Sequence, residues 1–234
     1  MMAAAEDGIC PPPKGSMMAF RNPAGAIRAV ASKLEKKYEQ ELEEAVGPCT
    51  SLLDVGCGTD SPIQGFSKKL FAVGVDAFEP SLQKSAARGI HNEYVKADIR
   101  DLKRHFKPGS FDCVLASDVI EHLPKEEGDA FLAALESLAR KRVLIFTPNG
   151  FLPQGEYDSN PWQAHLSGWT PEEMRKRGYR VIGVRGWKPL RKEYAAVRWP
   201  PKFLWLFISS LTQRWVRDRP EKAFQILCIK DISR

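Results

Sequence analysis

Two glycines and a series of acids at the ends of apolar runs carry the chemistry legible in this chain. Leu52-Leu53-Asp54-Val55-Gly56-Cys57-Gly58-Thr59 reads as a buried strand that ends in an acid and opens into a glycine turn. Such a turn lets the backbone bend sharply and approach a ligand where a Cβ would clash. A second apolar strand, Ala72-Val73-Gly74-Val75-Asp76, follows and also ends in an acid. An acid about 20 residues after a glycine turn is where a doubly wound fold holds the hydroxyl pair of a ribose. The spacing therefore points to a nucleoside-containing cofactor. Two more signals have the same form. Tyr94-Val95-Lys96-Ala97-Asp98-Ile99 ends a strand in an acid with an apolar neighbour. Phe111 to Pro124 runs from a buried strand through Ser117-Asp118-Val119-Ile120-Glu121-His122 into a helix.

The elements that must position these residues alternate. Strands are expected at 51–55, 71–75, 93–97, 111–116 and 142–147, with helices at about 62–69, 79–88, 101–106 and 125–140. Alternation at this interval means a parallel sheet with right-handed crossovers. Gly25 to Val46 has helical spacing (Ile27, Val30, Leu34, Tyr38, Leu42, Val46) and is stopped by Gly47-Pro48. Thr170-Pro171-Glu172-Glu173 starts another helix, with Thr170 as cap. Tyr179–Trp187 and Phe224–Ile232 read as two final strands. Residues 1–20, with three successive prolines at Pro11–Pro13, read as a disordered tail without a secretory segment. Residues 21–234 read as one domain, with a cofactor half at about 45–150 and an acceptor, lid and C-terminal part at 151–234.

Composition narrows the setting. At 43% hydrophobic and 27% charged residues, 234 residues suffice for an ordinary α/β core. The five cysteines form no C-x-x-C pair, so no disulfide framework or zinc site is expected, no metal is assigned, and a reducing cytoplasm is the simplest setting. The segment from Pro171 to Arg234 holds 16 of the 35 Lys/Arg but only 6 of the 29 Asp/Glu. Such a basic third is a solvated surface, or it attracts an anionic substrate, a membrane surface or RNA. Phe203-Leu204-Trp205-Leu206-Phe207-Ile208 is too short for the ~20 residues of a membrane span. It reads as a helix that covers the sheet or the substrate pocket. The alternative is an interfacial helix, giving peripheral membrane contact through 200–216.

Taken together, Asp54-x-Gly56-x-Gly58, Asp76, Asp98 and Asp118-x-x-Glu121-His122-Leu123 resemble the class I S-adenosylmethionine-dependent methyltransferases, within the methyltransferase domain 11/12-like group, over about residues 45–150. The resemblance implies a Rossmann-like, doubly wound seven-stranded sheet, mostly parallel, whose antiparallel last strand inserts between strands five and six. It implies S-adenosyl-L-methionine as cofactor. Gly56 and Gly58 would pass under its methionine part, and Asp54 would order the loop or meet its amino group through water. Asp76 would accept both ribose hydroxyls. Phe78 would lie beside the adenine, Asp98 would accept from its amine, and Ile99 would cover the ring. Ser117 and Asp118 would lie near the methionine end, largely through backbone groups. A dinucleotide dehydrogenase fits less well: the third glycine of its fingerprint is replaced by Ser61, and Asp60 puts negative charge where a phosphate would sit.

Methyl transfer from a sulfonium is an in-line displacement that needs positioning and dryness more than a base. Candidate bases are His122, at the start of the helix after the cofactor loop, and His165, on the acceptor side. Glu121 and Tyr157 are weaker, and His91 and His105 read as surface residues. Asn149 and Gly150 are expected at the acceptor pocket floor, with Phe151–Trp169 as lid, residues 200–216 as further roof, and Tyr157, Trp162 and Trp169 as stacking or packing residues. The acceptor expected is small, or lipid- or glycan-linked. RNA or protein acceptors are variants of this, and nucleic acid is disfavoured because no RNA module is present. A non-catalytic scaffold on the same fold would be expected to show a broken cofactor motif.

Overall fold

A computed structural model of the chain describes residues 38–156, 160–192 and 196–233. Helix α1 covers residues 38–46 and stops at Gly47, as expected. The rest of the predicted 25–46 helix, the 1–20 tail and Tyr157 lie outside the described residues. The strands are β1 (Ser51–Val55), β2 (Phe71–Asp76), β3 (Glu93–Lys96), β4 (Phe111–Ser117), β5 (Ala139–Pro148), β6 (Arg180–Trp187) and β7 (Ala223–Asp231). Between them lie α2 (Glu79–Ala87), α3 (Leu102–His105), α4 (Gly128–Leu138), α5 (Pro171–Lys176) and α6 (Lys202–Arg217).

The seven strands form one sheet in the order β3-β2-β1-β4-β5-β7-β6. The first five strands are parallel to one another, and β7 runs antiparallel between β5 and β6. Alternate residues of a strand face opposite sides, and both sides are covered. Leu53, Val55, Val73 and Val114 pack with Leu135, Leu138 and Trp169. Leu52, Leu115 and Phe146 pack with Tyr38 and Leu42 of α1. Because β1 leads outward to β2 on one side and β4 lies on its other side, a crevice opens at the strand C-termini. This is the place where open α/β sheets take ligands.

Three boundaries differ from expectation. β5 begins at Ala139 and α4 ends at Leu138, because the Asp112 carboxylate takes Arg140 and Lys141 at 2.9 Å each and holds that stretch extended. The predicted 62–69 helix is two short 3-10 turns, Pro62–Gly65 and Ser67–Lys69. Thr170 does cap α5: its hydroxyl accepts from the Glu173 amide while the Glu173 carboxylate accepts from the Thr170 amide.

Helix α6 packs on β6 but buries only Ser209 and Val216. Its large side chains point away: Phe203, Leu204, Phe207, Leu211 and Trp215 are all exposed. It therefore covers the sheet, one of the two places expected for it, through its small-residue face, and none of its residues lines the cavities at the strand ends.

Candidate active site

The glycine turn is tied to the neighbouring strand. The amides of Gly56 and Cys57 both donate to the Val75 carbonyl, at 2.8 and 2.9 Å. Asp76 then fixes the rest: its carboxylate accepts from the Gly58 amide at 2.9 Å and the Phe78 amide at 2.8 Å. Burial raises the Asp76 pKa, with these two amides opposing the shift. Gly56 and Gly58 both adopt positive φ, +69° and +56°. A Cβ at Gly56 would stand 2.5 Å from Val119 Cγ2, whereas one at Gly58 would meet nothing within 4 Å. One glycine is required by the fold; the other leaves open space beside the turn.

Asp54 is 1% exposed and works inside the loop. It accepts from Ser61 Oγ at 2.5 Å and contacts His91 Nε2 at 2.8 Å. His91 is thus buried, not a surface residue. Its partner lies 37 positions away, so no local spacing announces it. Asp60, exposed, pairs with Arg88.

Three cavities meet at this end of the sheet. One, of about 80 Å³, is lined by Gly56, Asp76, Ala77, Asp98, Ile99 and Trp162 among others. A second, of about 240 Å³, includes Asp54, Gly58, Thr59 and Ser117. The third, of about 340 Å³, includes His122, His165, Leu152, Gln154 and Arg185. Asp118 and Gln163 line all three. The first two have the composition a nucleoside and an amino-acid chain require: acids at the polar edges, Ile99 for an aromatic face, and a turn without Cβ atoms.

Not every expected residue takes its expected place. Phe78 lines none of these cavities; it supplies its amide to Asp76, because the chain turns at once into α2. Asp98 lines the first cavity, with its carboxylate also capping the turn at Arg100. Asn149 is not a pocket floor: its side-chain amide donates to the carbonyls of Pro220, Glu221 and Ala223, tying β5 to β7. Gly150 pairs with the Trp169 backbone, and Pro148 lines the third cavity instead. Trp169 is fully buried beneath Lys125, whose Nζ lies 3.6 Å from its ring centre, so it packs and does not stack on a ligand.

The acceptor side is built from acids and imidazoles. Asp118 sits at φ +53° at the end of β4 and accepts from Gln225 Nε2 at 2.9 Å. Burial pushes its pKa up to about 6, with Arg185 opposing. Glu121 is buried beside it and is raised well above the usual carboxylate range, by burial first and by the Asp118 charge second. Glu121 Oε2 accepts from Thr147 Oγ1 at 2.9 Å. The two predicted bases come together: the rings of His122 and His165 lie 4.9 Å apart at 65°. The Nδ1 atoms of His122 and His165 meet the carbonyls of Ala164 and Leu152, at 3.0 and 2.6 Å. A carbonyl only accepts, so the proton sits on Nδ1 and Nε2 carries the lone pair. Burial lowers both imidazole pKa values, which keeps the rings neutral near pH 7.

Comparison with known proteins agrees with this geometry. Residues 53–146 match the family model described as a methyltransferase domain. Residues 53–146 are a methyltransferase domain. Over 149 residues the chain is 28% identical to magnesium protoporphyrin IX methyltransferase, chloroplastic, of Arabidopsis thaliana. That match covers 59% of this chain and 46% of the relative, so the chain spans about half the relative's length. Its fold is shared with a SAM-dependent methyltransferase from Archaeoglobus fulgidus (17% identity, 87% of this chain and 98% of that one, TM-score 0.54). It is shared too with magnesium protoporphyrin IX methyltransferase from Synechocystis PCC 6803 with bound SAM (17%, 94% and 86%, TM-score 0.52).

Sequence reasoning missed Arg185, Gln163 and Gln225 in the methyltransferase. Arg185 has φ +61° and lies where the β6–β7 register shifts, so a bulge turns its guanidinium back over the rings of Tyr38 and Phe146, 5.5 Å from each centre. The only local signal is the Arg185-Gly186 pair near a strand end.

Proposed function

We propose that this enzyme methylates a small or lipid-linked, amphipathic acceptor bearing negative charge, bound in the cavity that holds Arg185, His122 and His165. The observation that carries the reading is the convergence of the three cavities on Asp118 and Gln163. A methyl donor in the first two would meet an acceptor in the third there.

In this reading Asp76 holds the ribose hydroxyls, Asp98 and Ile99 the adenine, and the Gly56–Gly58 turn with Asp54, Ser117 and Asp118 the methionine end. Bound S-adenosylmethionine supplies an electrophilic methyl group on a sulfonium. The neutral imidazoles are placed to take the acceptor's proton, a contribution of roughly 10²–10⁴-fold where a base is used. Arg185, facing both the second and third cavities, pairs with an anionic group of the acceptor. Leu152, Gln154, Gln163 and His165 form the cover that excludes water, which assigns the lid to this part of 151–169.

The outward stripe of α6 supports an amphipathic acceptor at a membrane surface. Phe203, Phe207, Leu211 and Trp215 recur every fourth residue on one helix face, flanked by Lys202, Arg214 and Arg217. Among the described residues no helix is long and apolar enough to cross a membrane, so contact through α6 would be peripheral. The likeness to enzymes named for a porphyrin substrate is consistent with an amphipathic acceptor.

The test is transfer of label from methyl-labelled S-adenosylmethionine to hydroxylated or carboxylated amphiphiles, with and without anionic vesicles. Label in an amphiphile, reduced at least tenfold in Arg185→Ala, is expected. Label only in RNA or protein would replace the acceptor assignment.

A further inference from the structure

Glu121, His122 and His165 form one cluster. Each offers a ligand atom within 4.8 Å of those of the other two. The Glu121 side chain is 1% exposed, and its Oε1 meets no N–H or O–H donor among the described residues, its carboxyl neighbour being Asp118, with which it could share a proton. An acceptor-only oxygen so placed is satisfied by a proton or by a cation. Both imidazoles meanwhile have Nδ1 turned to a backbone carbonyl. That is the support that fixes the tautomer and aims Nε2 of a metal-binding histidine. The Glu121 carboxylate has support of the same kind, from Thr147 Oγ1 to its other oxygen.

We propose that Glu121, His122 and His165 form a two-histidine, one-carboxylate site for a first-row divalent cation at the floor of the acceptor cavity. Such a donor set suits ions from Mn²⁺ to Zn²⁺, and leaves positions open for other ligands. Metal–ligand bonds of about 2.0–2.2 Å require the three atoms to draw in by roughly an ångström. The open positions face the cavity lined by Asp118, Gln163 and Arg185. The negative carboxyl of Asp118 beside Glu121 adds to the attraction for a cation.

The consequence deepens the proposed function, and rests on the reading that this cavity takes the acceptor: the accepting atom is an oxygen. A hydroxyl bound to the ion becomes more acidic. It gives its proton to water and forms the new carbon–oxygen bond as the carbon–sulfur bond breaks, with the electron pair left on the sulfur. The two imidazoles then serve as ligands, and the ion replaces them in activating the hydroxyl.

The test is titration of the purified, chelator-treated full chain with Co²⁺ in the absence of acceptor, followed by visible absorption and thermal melting. One equivalent is expected, with ligand-field bands of nitrogen and oxygen coordination and a raised melting temperature. His165→Gln, His122→Gln and Glu121→Gln should each weaken binding by at least roughly 10–100-fold, the range seen when even the residues supporting a ligand are changed. S-adenosylmethionine binding, measured in parallel on His165→Gln, shows that the variant is folded. Absence of saturable binding, thiolate bands, or affinity unchanged in both histidine variants would overturn the site. The imidazoles would then stand as bases, with the proposed function intact. Loss of S-adenosylmethionine binding with Co²⁺ binding retained would remove that function and leave the ion site.

Discussion

Gly56→Ala and Gly58→Ala should damage the protein in different ways. Both positions have positive φ, so alanine costs roughly 1–2 kcal/mol of backbone strain at either. At Gly56 the new methyl would stand 2.5 Å from Val119 Cγ2, inside a buried and β-branched neighbour that cannot rotate away easily. Overpacking of this kind adds about 1–3 kcal/mol. The sum, about 2–5 kcal/mol, is a large part of the ~5–15 kcal/mol that holds a domain folded. At Gly58 the methyl meets no protein atom within 4 Å, so only the strain remains in the ligand-free protein. The same methyl would intrude on a cofactor lying against the turn, and on the same overpacking scale affinity should fall by about 5–150-fold. Chemical denaturation gives the first quantity and calorimetric titration with S-adenosylhomocysteine the second. The reasoning fails if Gly58→Ala binds the cofactor like the parent, or if it loses as much stability as Gly56→Ala.

Asp112 should make stability depend on pH. Burial alone would raise its carboxyl, but donors from Thr50, Lys141 and Arg140 outweigh burial and hold it well below the ordinary range. A depressed folded pKa stabilises above the unfolded value of about 3.9 and ceases to do so as pH falls through the folded value. Asp112→Asn should therefore cost about 1.5–3 kcal/mol at pH 7, with the gap from the parent narrowing below pH ~4. Melting curves from pH 7 to 3 check this, and a constant gap would count against it. His91→Ala leaves the buried Asp54 carboxylate with the Ser61 hydroxyl as its side-chain donor among the described residues and should lower stability by roughly 1–3 kcal/mol, with cofactor affinity falling as the turn loosens. Unchanged denaturation and binding would show that the pair does not order the turn. Phe207→Glu with Leu211→Glu, at 51% and 63% exposure, should abolish flotation with anionic vesicles while changing stability within about 0.5 kcal/mol. Persistent flotation would move the membrane contact elsewhere.

The fold was legible because strand burial is written locally. Leu52, Leu53 and Val55 flank a single acid, and Cys113 to Ala116 are apolar without interruption, as strands covered on both faces must be. The antiparallel place of β7 came from the family resemblance, since nothing in Phe224–Ile232 itself encodes strand direction. The cofactor turn was legible for a similar reason: glycines and strand-end acids lie within one or two elements. The acceptor side was less so. Arg185 reaches the cavity through a bulge, and Gln225 approaches Asp118 from 107 positions away. Trp169 read as a stacking or a packing residue, and the packing of Lys125 and Gly128 around its ring decides for packing. His91 was misread on similar grounds, because burial depends on what packs from elsewhere in the chain.

The central claim is that the trough between Gly56, Gly58, Asp76 and Asp98 holds the nucleoside and methionine parts of S-adenosylmethionine. Calorimetric titration of the parent and of Asp76→Asn with S-adenosylmethionine and S-adenosylhomocysteine, with NAD as control, tests it most directly. The parent should bind the first two in the micromolar range and not NAD. Asp76→Asn, which removes the charge but keeps an oxygen for the Gly58 or Phe78 amide, should bind more weakly by about 1.5–3 kcal/mol, or roughly 10–150-fold. Equal affinity in the two proteins, or binding of NAD in place of the methyl donor, would contradict the account.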